Sequence, residues 1–171
     1  MEGLTRVVLS LGSNLGDRYQ NLSKAVELIK ERIGSIDQIS KLYETPPVGF
    51  EASQDFINLC LSIYTTLSPE EFIRITQKIE SEMGRIRSKK GYSSRPMDID
   101  IIFFGSQIIE NEKLSIPHPR FRDRLFVLQP LIDLDVKIID PVTLLTAKQM
   151  IDQKIDKSSL SLYEKDISCH D

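Results

Sequence analysis

No stretch of this sequence stays apolar for long. The run near its start, Val7-Val8-Leu9, stops at Gly12, too short for a signal peptide. Nothing approaches the ~20 apolar residues of a transmembrane helix. Cysteine is equally scarce: Cys60 falls in an apolar strand pattern and Cys169 in a polar tail. Their spacing suits neither a zinc site nor a disulfide framework. These absences predict a protein of the reducing cytoplasm with no membrane partner. Internal repeats and low-complexity tracts are missing too. So are the Gly-Lys-Ser/Thr of a Walker loop and the glycine spacing of a dinucleotide site.

The 171 residues are 40% apolar and 27% charged, within the range of one globular domain, expected over residues 1–156 with a polar tail, flexible or weakly docked, over 157–171. A net charge of −3 argues against general nucleic-acid binding. The positive charge is concentrated. Residues 85–95 hold five cations and no acid, and His118-Pro119-Arg120-Phe121-Arg122-Asp123-Arg124 adds three arginines against one aspartate. The rest of the chain is strongly acidic. Two cationic loops in an acidic chain favour a small anionic ligand over a long polyanion.

Between those loops lies Met97-Asp98-Ile99-Asp100-Ile101-Ile102-Phe103-Phe104-Gly105, a strand pattern closed by a glycine. Alternation turns Asp98 and Asp100 to one face, roughly 6.5–7 Å apart, and Met97, Ile99 and Ile101 to the other. Like charges this close call for a positive neighbour. On these residues alone two explanations stand level: pairing with the flanking arginines, or a Mg²⁺ site completed by substrate phosphates.

The remaining elements are predicted in order. Arg6–Leu11 is a first strand, followed by a glycine-bounded turn and a helix beginning at Asn14 or Asp17 and running to about Ile33. Residues 36–44 form a second strand ending in the rigid Thr45-Pro46-Pro47 loop. Residues 55–66 form a third, with Ile57, Leu59, Leu61 and Ile63 on one face and Asn58 and Cys60 on the other. Ser68-Pro69-Glu70-Glu71 starts a helix with a cap, a first-turn proline and a capping box. After the Asp-x-Asp strand, residues 107–110 are expected as its hairpin partner. Helices follow within residues 122–134 and 144–155. This order matches an α+β, ferredoxin-like βαββαβ sandwich with a mostly antiparallel sheet, plus an extra hairpin and C-terminal helices.

The sequence Leu11-Gly12-Ser13-Asn14-Leu15-Gly16-Asp17, then Tyr43-Glu44-Thr45-Pro46-Pro47, Phe56-Ile57-Asn58, Arg95-Pro96-Met97-Asp98-Ile99-Asp100 and Ile116-Pro117-His118-Pro119-Arg120-Phe121, in that order and spacing, resembles the 6-hydroxymethyl-7,8-dihydropterin pyrophosphokinase family of folate biosynthesis, over about residues 6–141. The resemblance implies transfer of the ATP β,γ-pyrophosphoryl group to 6-hydroxymethyl-7,8-dihydropterin, with release of AMP. It implies Asp98 and Asp100 as ligands of two Mg²⁺ ions, and Arg85 and Arg95 as neutralisers of charge on the transferred group. Gln77, Glu80, Arg87, Arg95, Lys113, Ser115, His118 and Arg124 match nucleotide-binding positions. Asn58, the pair Phe56 and Phe126, and the loop residues Thr45, Pro46 and Val48 match pterin-binding ones. The glycine turn is expected to support that pocket from below. A monofunctional monomer is expected.

Some family members carry a tryptophan and a Gly-Pro pair in the first cationic loop, where this chain has Tyr92, Ser93 and Ser94 and no tryptophan at all. Ser88, Gly91 and Tyr92 are assigned to a lid, with Gly91 as hinge and Tyr92 stacking on the nucleotide. Two other functions are less consistent with the motifs. A related transferase acting on another heterocycle would not need the Pro-Pro loop with Asn58. An RNA-binding ferredoxin-like module would carry the Lys/Arg-Gly-Phe-Gly-Phe type of motif, which is absent. Tyr92→Ala should slow turnover while leaving Mg-ATP binding largely intact; an unchanged turnover number in steady-state kinetics would refute the lid assignment.

Overall fold

The computed structural model describes residues 3–47, 54–84, 96–135, 137–153 and 160–168. β1 (Thr5–Ser13) is the pivot. It pairs antiparallel with β4 (Phe56–Thr65) on one side and β5 (Asp98–Phe104) on the other. β4 in turn pairs with β2 (Ser35–Ile39) and β3 (Tyr43–Thr45). The sheet order β5-β1-β4-β3 is that of the ferredoxin-like split β-α-β arrangement.

Helices cover both faces, which explains why β1, β4 and β5 are apolar almost throughout. On one face α1 (Arg18–Arg32) and α2 (Pro69–Glu82) close over Leu9, Leu11, Leu59, Leu61, Ile99 and Ile101. The chain enters α1 through Gly16 at φ +71°, a conformation suited to glycine, and Asp17 Oδ1 caps the Gln20 N–H. Ser68 Oγ caps α2 by accepting from the Glu71 N–H. Beneath α2, Phe72 meets Phe104 edge-to-face at 5.6 Å. The C-terminal helices do more than decorate this core. α3 (Leu125–Leu134) and α4 (Ala147–Asp152) cover the second face, burying Val8, Cys60, Ile102 and Phe103 against Val127, Leu128, Leu131 and Met150. Burial pushes the Cys60 thiol pKa up, leaving it a protonated core residue.

Three local departures from the sequence expectation have tertiary causes. The expected strand 36–44 breaks at Ser40, whose Oγ accepts from the Cys60 N–H while its own N–H donates to the Cys60 carbonyl. A side chain thus takes one ladder position and the strand splits into β2 and β3. Residues 107–110 do not pair with β5. Instead β6 (Ile109–Glu110) pairs with β7 (Ser115–Ile116), because Asn111 Oδ1 accepts from both Lys113 and Leu114 N–H groups and closes a tight turn. Residues 160–168 lie along the sheet. β8 (Ser161–Leu162) pairs with β3, Tyr163 N–H donates to the Leu42 carbonyl, and Tyr19 Oη donates to the Asp166 carbonyl.

A part-buried ion pair ties the segment before α3 to the one after it. Asp140, fully buried, accepts from Arg122 Nε and Nη2 at 2.6 and 3.0 Å, and from Thr143 Oγ1 and the Val142 N–H. Burial alone would raise the Asp140 carboxyl pKa, but the bonds from Arg122, Thr143 and Val142 outweigh it and the pKa falls. Its stabilising effect is therefore complete above the ordinary value of 3.8 and lost as pH falls below it. Asp140→Ala should lower unfolding free energy by about 2 kcal/mol in urea titrations at pH 7. That deficit should shrink as the titrations are moved below pH 4, and an equal deficit at all pH values would contradict the pairing.

Candidate active site

Sheet register sets the candidate residues in rows. Asp98 of β5, Gly12 of β1 and Asn58 of β4 are successive cross-strand partners, with Tyr43 of β3 next in line. One row along, Asp100 faces Ser10, which faces Cys60. Cross-strand partners share a face. Here it is the face under α3, since Cys60 packs on Val127 and Tyr43 Oη donates to Asp133 Oδ2 at 2.8 Å. Asp98 and Asp100 are partly exposed, while Met97, Ile99 and Ile101 are buried on the opposite face.

The β5 strand is held from both sides. Between the two aspartates, the outward Ile99 N–H donates to Glu80 Oε2 of α2 at 3.0 Å, and Glu80 is almost fully buried. Farther along, the register of β1 with β5 shifts between Val8 and Leu9, which leaves Ile102 without a cross-strand partner. Its carbonyl instead accepts from the His118 N–H at 3.1 Å. The bulge therefore fixes His118 beside the carboxylate row.

His118 Nε2 lies 3.9 Å and Arg124 Nη1 4.0 Å from the same Asp100 oxygen, beyond direct hydrogen bonding and with room for an acceptor atom to be shared. His118 Nδ1 accepts from the Arg120 N–H at 3.1 Å, so in the neutral ring the proton sits on Nε2, facing the site. Burial and the neighbouring Arg124 lower the His118 pKa to about 4, against a smaller upward pull from Asp98. Arg124 also stacks over the Phe126 ring at 5.6 Å and, through its carbonyl, starts α3.

At the other end of the row Asn58 is buried, and its Nδ2 finds no partner among the described residues. An unsatisfied buried amide donor costs about 1–3 kcal/mol and is commonly satisfied by a ligand. Phe56 and Thr45 sit beside it as a cross-strand pair, with Thr45 buried and Pro46 exposed.

Residues 8–136 match the family described as 7,8-dihydro-6-hydroxymethylpterin-pyrophosphokinase (HPPK). A 2-amino-4-hydroxy-6-hydroxymethyldihydropteridine pyrophosphokinase of Bacillus subtilis is 42% identical over 127 residues, covering 74% of this chain and 75% of that protein. One from Porphyromonas gingivalis is 42% identical over 131 residues, covering 75% and 89%. The chain belongs to the HPPK family. Among solved structures, Plasmodium falciparum HPPK-DHPS, described as wild type with pterin and p-hydroxybenzoate, superposes with a TM-score of 0.70. It covers 88% of this chain and 42% of that one, and at 19% identity the likeness concerns the fold alone.

Within this HPPK-family enzyme the expected site residues separate into groups. Asp98, Asp100, His118 and Arg124 converge, and Asn58 with Phe56 and Thr45 stands across Gly12 from Asp98. Gln77 is exposed on α2, Lys113 is exposed in the hairpin turn, and Ser115 is half-buried in β7. Val48, Arg85, Arg87, Ser88, Gly91, Tyr92 and Arg95 lie outside the described residues. The described His, Cys, Asp and Glu side chains form no cluster of three or more suited to a metal. Two hard carboxylates without a third ligand fit Mg²⁺, which completes its shell from phosphates and water, and do not fit a structural zinc. Sequence reasoning missed Asp140; its signal is the Asp-Pro-Val-Thr turn, in which an aspartate caps the residues that follow. In NMR titrations of the ligand-free protein the His118 ring should remain neutral down to below pH 5. Since the unfolded chain takes up that proton near 6.5, stability should fall on acidification through that value. A His118 midpoint near 6.5 would overturn the buried, neutral assignment.

Proposed function

We propose that this chain transfers the β,γ-pyrophosphoryl group of ATP to the hydroxymethyl oxygen of 6-hydroxymethyl-7,8-dihydropterin in folate biosynthesis. The hydroxymethyl oxygen bonds to the β-phosphorus, the bond from the β-phosphorus to the α,β-bridging oxygen breaks, and that oxygen leaves with AMP. The hydroxyl proton passes to water. The observation that carries this function is the register that sets the buried Asn58 amide, unsatisfied among the described residues, and the Asp98 carboxylate on either side of Gly12, with Asp100 one row along.

Each end of the row has its own chemistry. Asn58 offers Nδ2–H to a heterocycle acceptor and its carbonyl to a ring N–H, while Phe56 and Phe126 provide faces for a flat ring. Thr45 and Pro46 border that pocket, and the family resemblance assigns Val48 to the same substrate. At the opposite end Asp98 and Asp100 would hold two Mg²⁺ ions, which when bound neutralise phosphate charge on the entering and leaving oxygens. His118, kept neutral, donates Nε2–H to a phosphate oxygen, and Arg124 contributes a fixed positive charge. Arg85, Arg87 and Arg95 supply more charge from the cationic loop, with Ser88, Gly91 and Tyr92 as its lid. Gln77, Glu80, Lys113 and Ser115 complete the nucleotide side, Glu80 by bracing β5. No nucleophilic side chain is required, because catalysis rests on positioning two substrates and neutralising charge.

With Mg-ATP and the pterin alcohol, chromatography should show AMP formed one-to-one with pterin pyrophosphate. Asp98→Asn should lower turnover by about a hundredfold or more. ADP in place of AMP would mean single phosphoryl transfer and would reject the proposed reaction.

A further inference from the structure

Gly12 and Gly16 belong to one glycine-bounded segment, but they are glycines for different reasons. Gly16 has φ +71°. Gly12 is the penultimate residue of β1 and its φ lies outside the left-handed region. Its backbone is one that any residue could adopt. In a central strand a glycine weakens the sheet relative to alanine, so the fold gains nothing from it.

What Gly12 provides is space. A Cβ built there would stand 2.8 Å from Asn58 Oδ1 and 3.4 Å from Phe56 Cδ1. The first distance is closer than real Cβ atoms approach, and Asn58 is buried, with little freedom to turn aside. Both neighbours belong to the end of the row proposed to bind the pterin. On its other side Gly12 faces Asp98 in register. Two strand spacings separate Asp98 from Asn58, roughly 9.5 Å between backbones, and Gly12 is the floor between them. A substrate bound to the amide and reacting beside the carboxylates must cross that floor.

We infer that Gly12 shapes this site by what it lacks: its missing side chain keeps the Asn58 amide turned into the pocket. It is a positioning residue, acting through Asn58. The inference rests on the proposed role of Asn58 in binding the pterin.

The test is a double-mutant cycle read by calorimetry. The dissociation constant of 6-hydroxymethyl-7,8-dihydropterin is measured with Mg²⁺ and α,β-methylene ATP present, a nucleotide that cannot transfer the pyrophosphoryl group. Gly12→Ala should weaken pterin binding at least tenfold, with the nucleotide's own dissociation constant within twofold of the parent. Asn58→Ala should weaken it similarly. The double variant should match Asn58→Ala within twofold, because no amide is left to displace. If Asn58→Ala has no effect, the proposed pterin site itself fails. If Asn58→Ala weakens binding and Gly12→Ala does not, only the inference falls. Additive losses would also overturn it, since Gly12 would then act independently of Asn58. Should Gly12→Ala fail to fold, recovery of folding in the double variant supports the clash, and failure of both makes Gly12 a structural residue and rejects the inference.

Discussion

The register of β1 between β4 and β5 is the constraint on which the site depends. Side chains on a strand have a period of two, so a one-residue slip on either side of β1 would send Asp98 and Asp100, or Asn58, into the apolar core under α1 and α2. That slip is opposed by every buried residue of the central strands. Leu9, Leu11, Leu59, Leu61, Ile99 and Ile101 would all have to leave the core together. The polar residues of the site are thus held in place by the apolar residues that alternate with them. The one irregularity, the shift beside Val8, contributes as well: it frees the Ile102 carbonyl to hold His118.

Charge is managed with similar economy. Asp98 and Asp100 repel each other, and the Arg124 guanidinium and the His118 ring stand about 4 Å from one Asp100 oxygen. Arg122, in contrast, is committed to Asp140 in a bidentate pair. Neighbouring arginines of one short segment therefore do opposite jobs. Arg122 fixes the backbone, and Arg124 is left facing the carboxylate row. Partial burial and the neighbouring Arg124 favour the neutral His118 ring despite the nearby carboxylates, which makes it a dipolar donor and not a third charge.

The parts of this structure that were legible in the sequence are those determined locally. Asp17 and Ser68 announce the helix starts through their capping chemistry, and alternation in Met97–Ile101 fixes which face each aspartate takes. The motif order pointed to the family and to most of the residues now found together. The parts that were not legible depend on distant partners. Ser40 breaks a strand only because the N–H of Cys60, twenty positions on, donates to its hydroxyl oxygen in place of a ladder carbonyl. The sequence places Ile109 and Glu110 beside β5, and the Asn111 turn pairs them with β7 instead. The bond by which Glu80 braces the Ile99 N–H, nineteen positions away, is likewise invisible locally. Gly12 looked like part of a turn because sequence shows a glycine but not what crowds it.

The pairing of β8 with β3 bears on the order in which the molecule can be completed during synthesis. β1 to β5 are all in hand once Phe104 has emerged, and their sheet can form then, apart from one side of β3. The partner for that side is made last among the described strands. At about 5–20 residues per second it follows β5 by roughly 3–11 s. During that interval Tyr43 and Glu44 present an unpaired strand edge, the kind of edge that recruits other chains. The proline pair directly after Thr45 cannot extend such an edge, so the interval is guarded by two residues that offer no strand N–H.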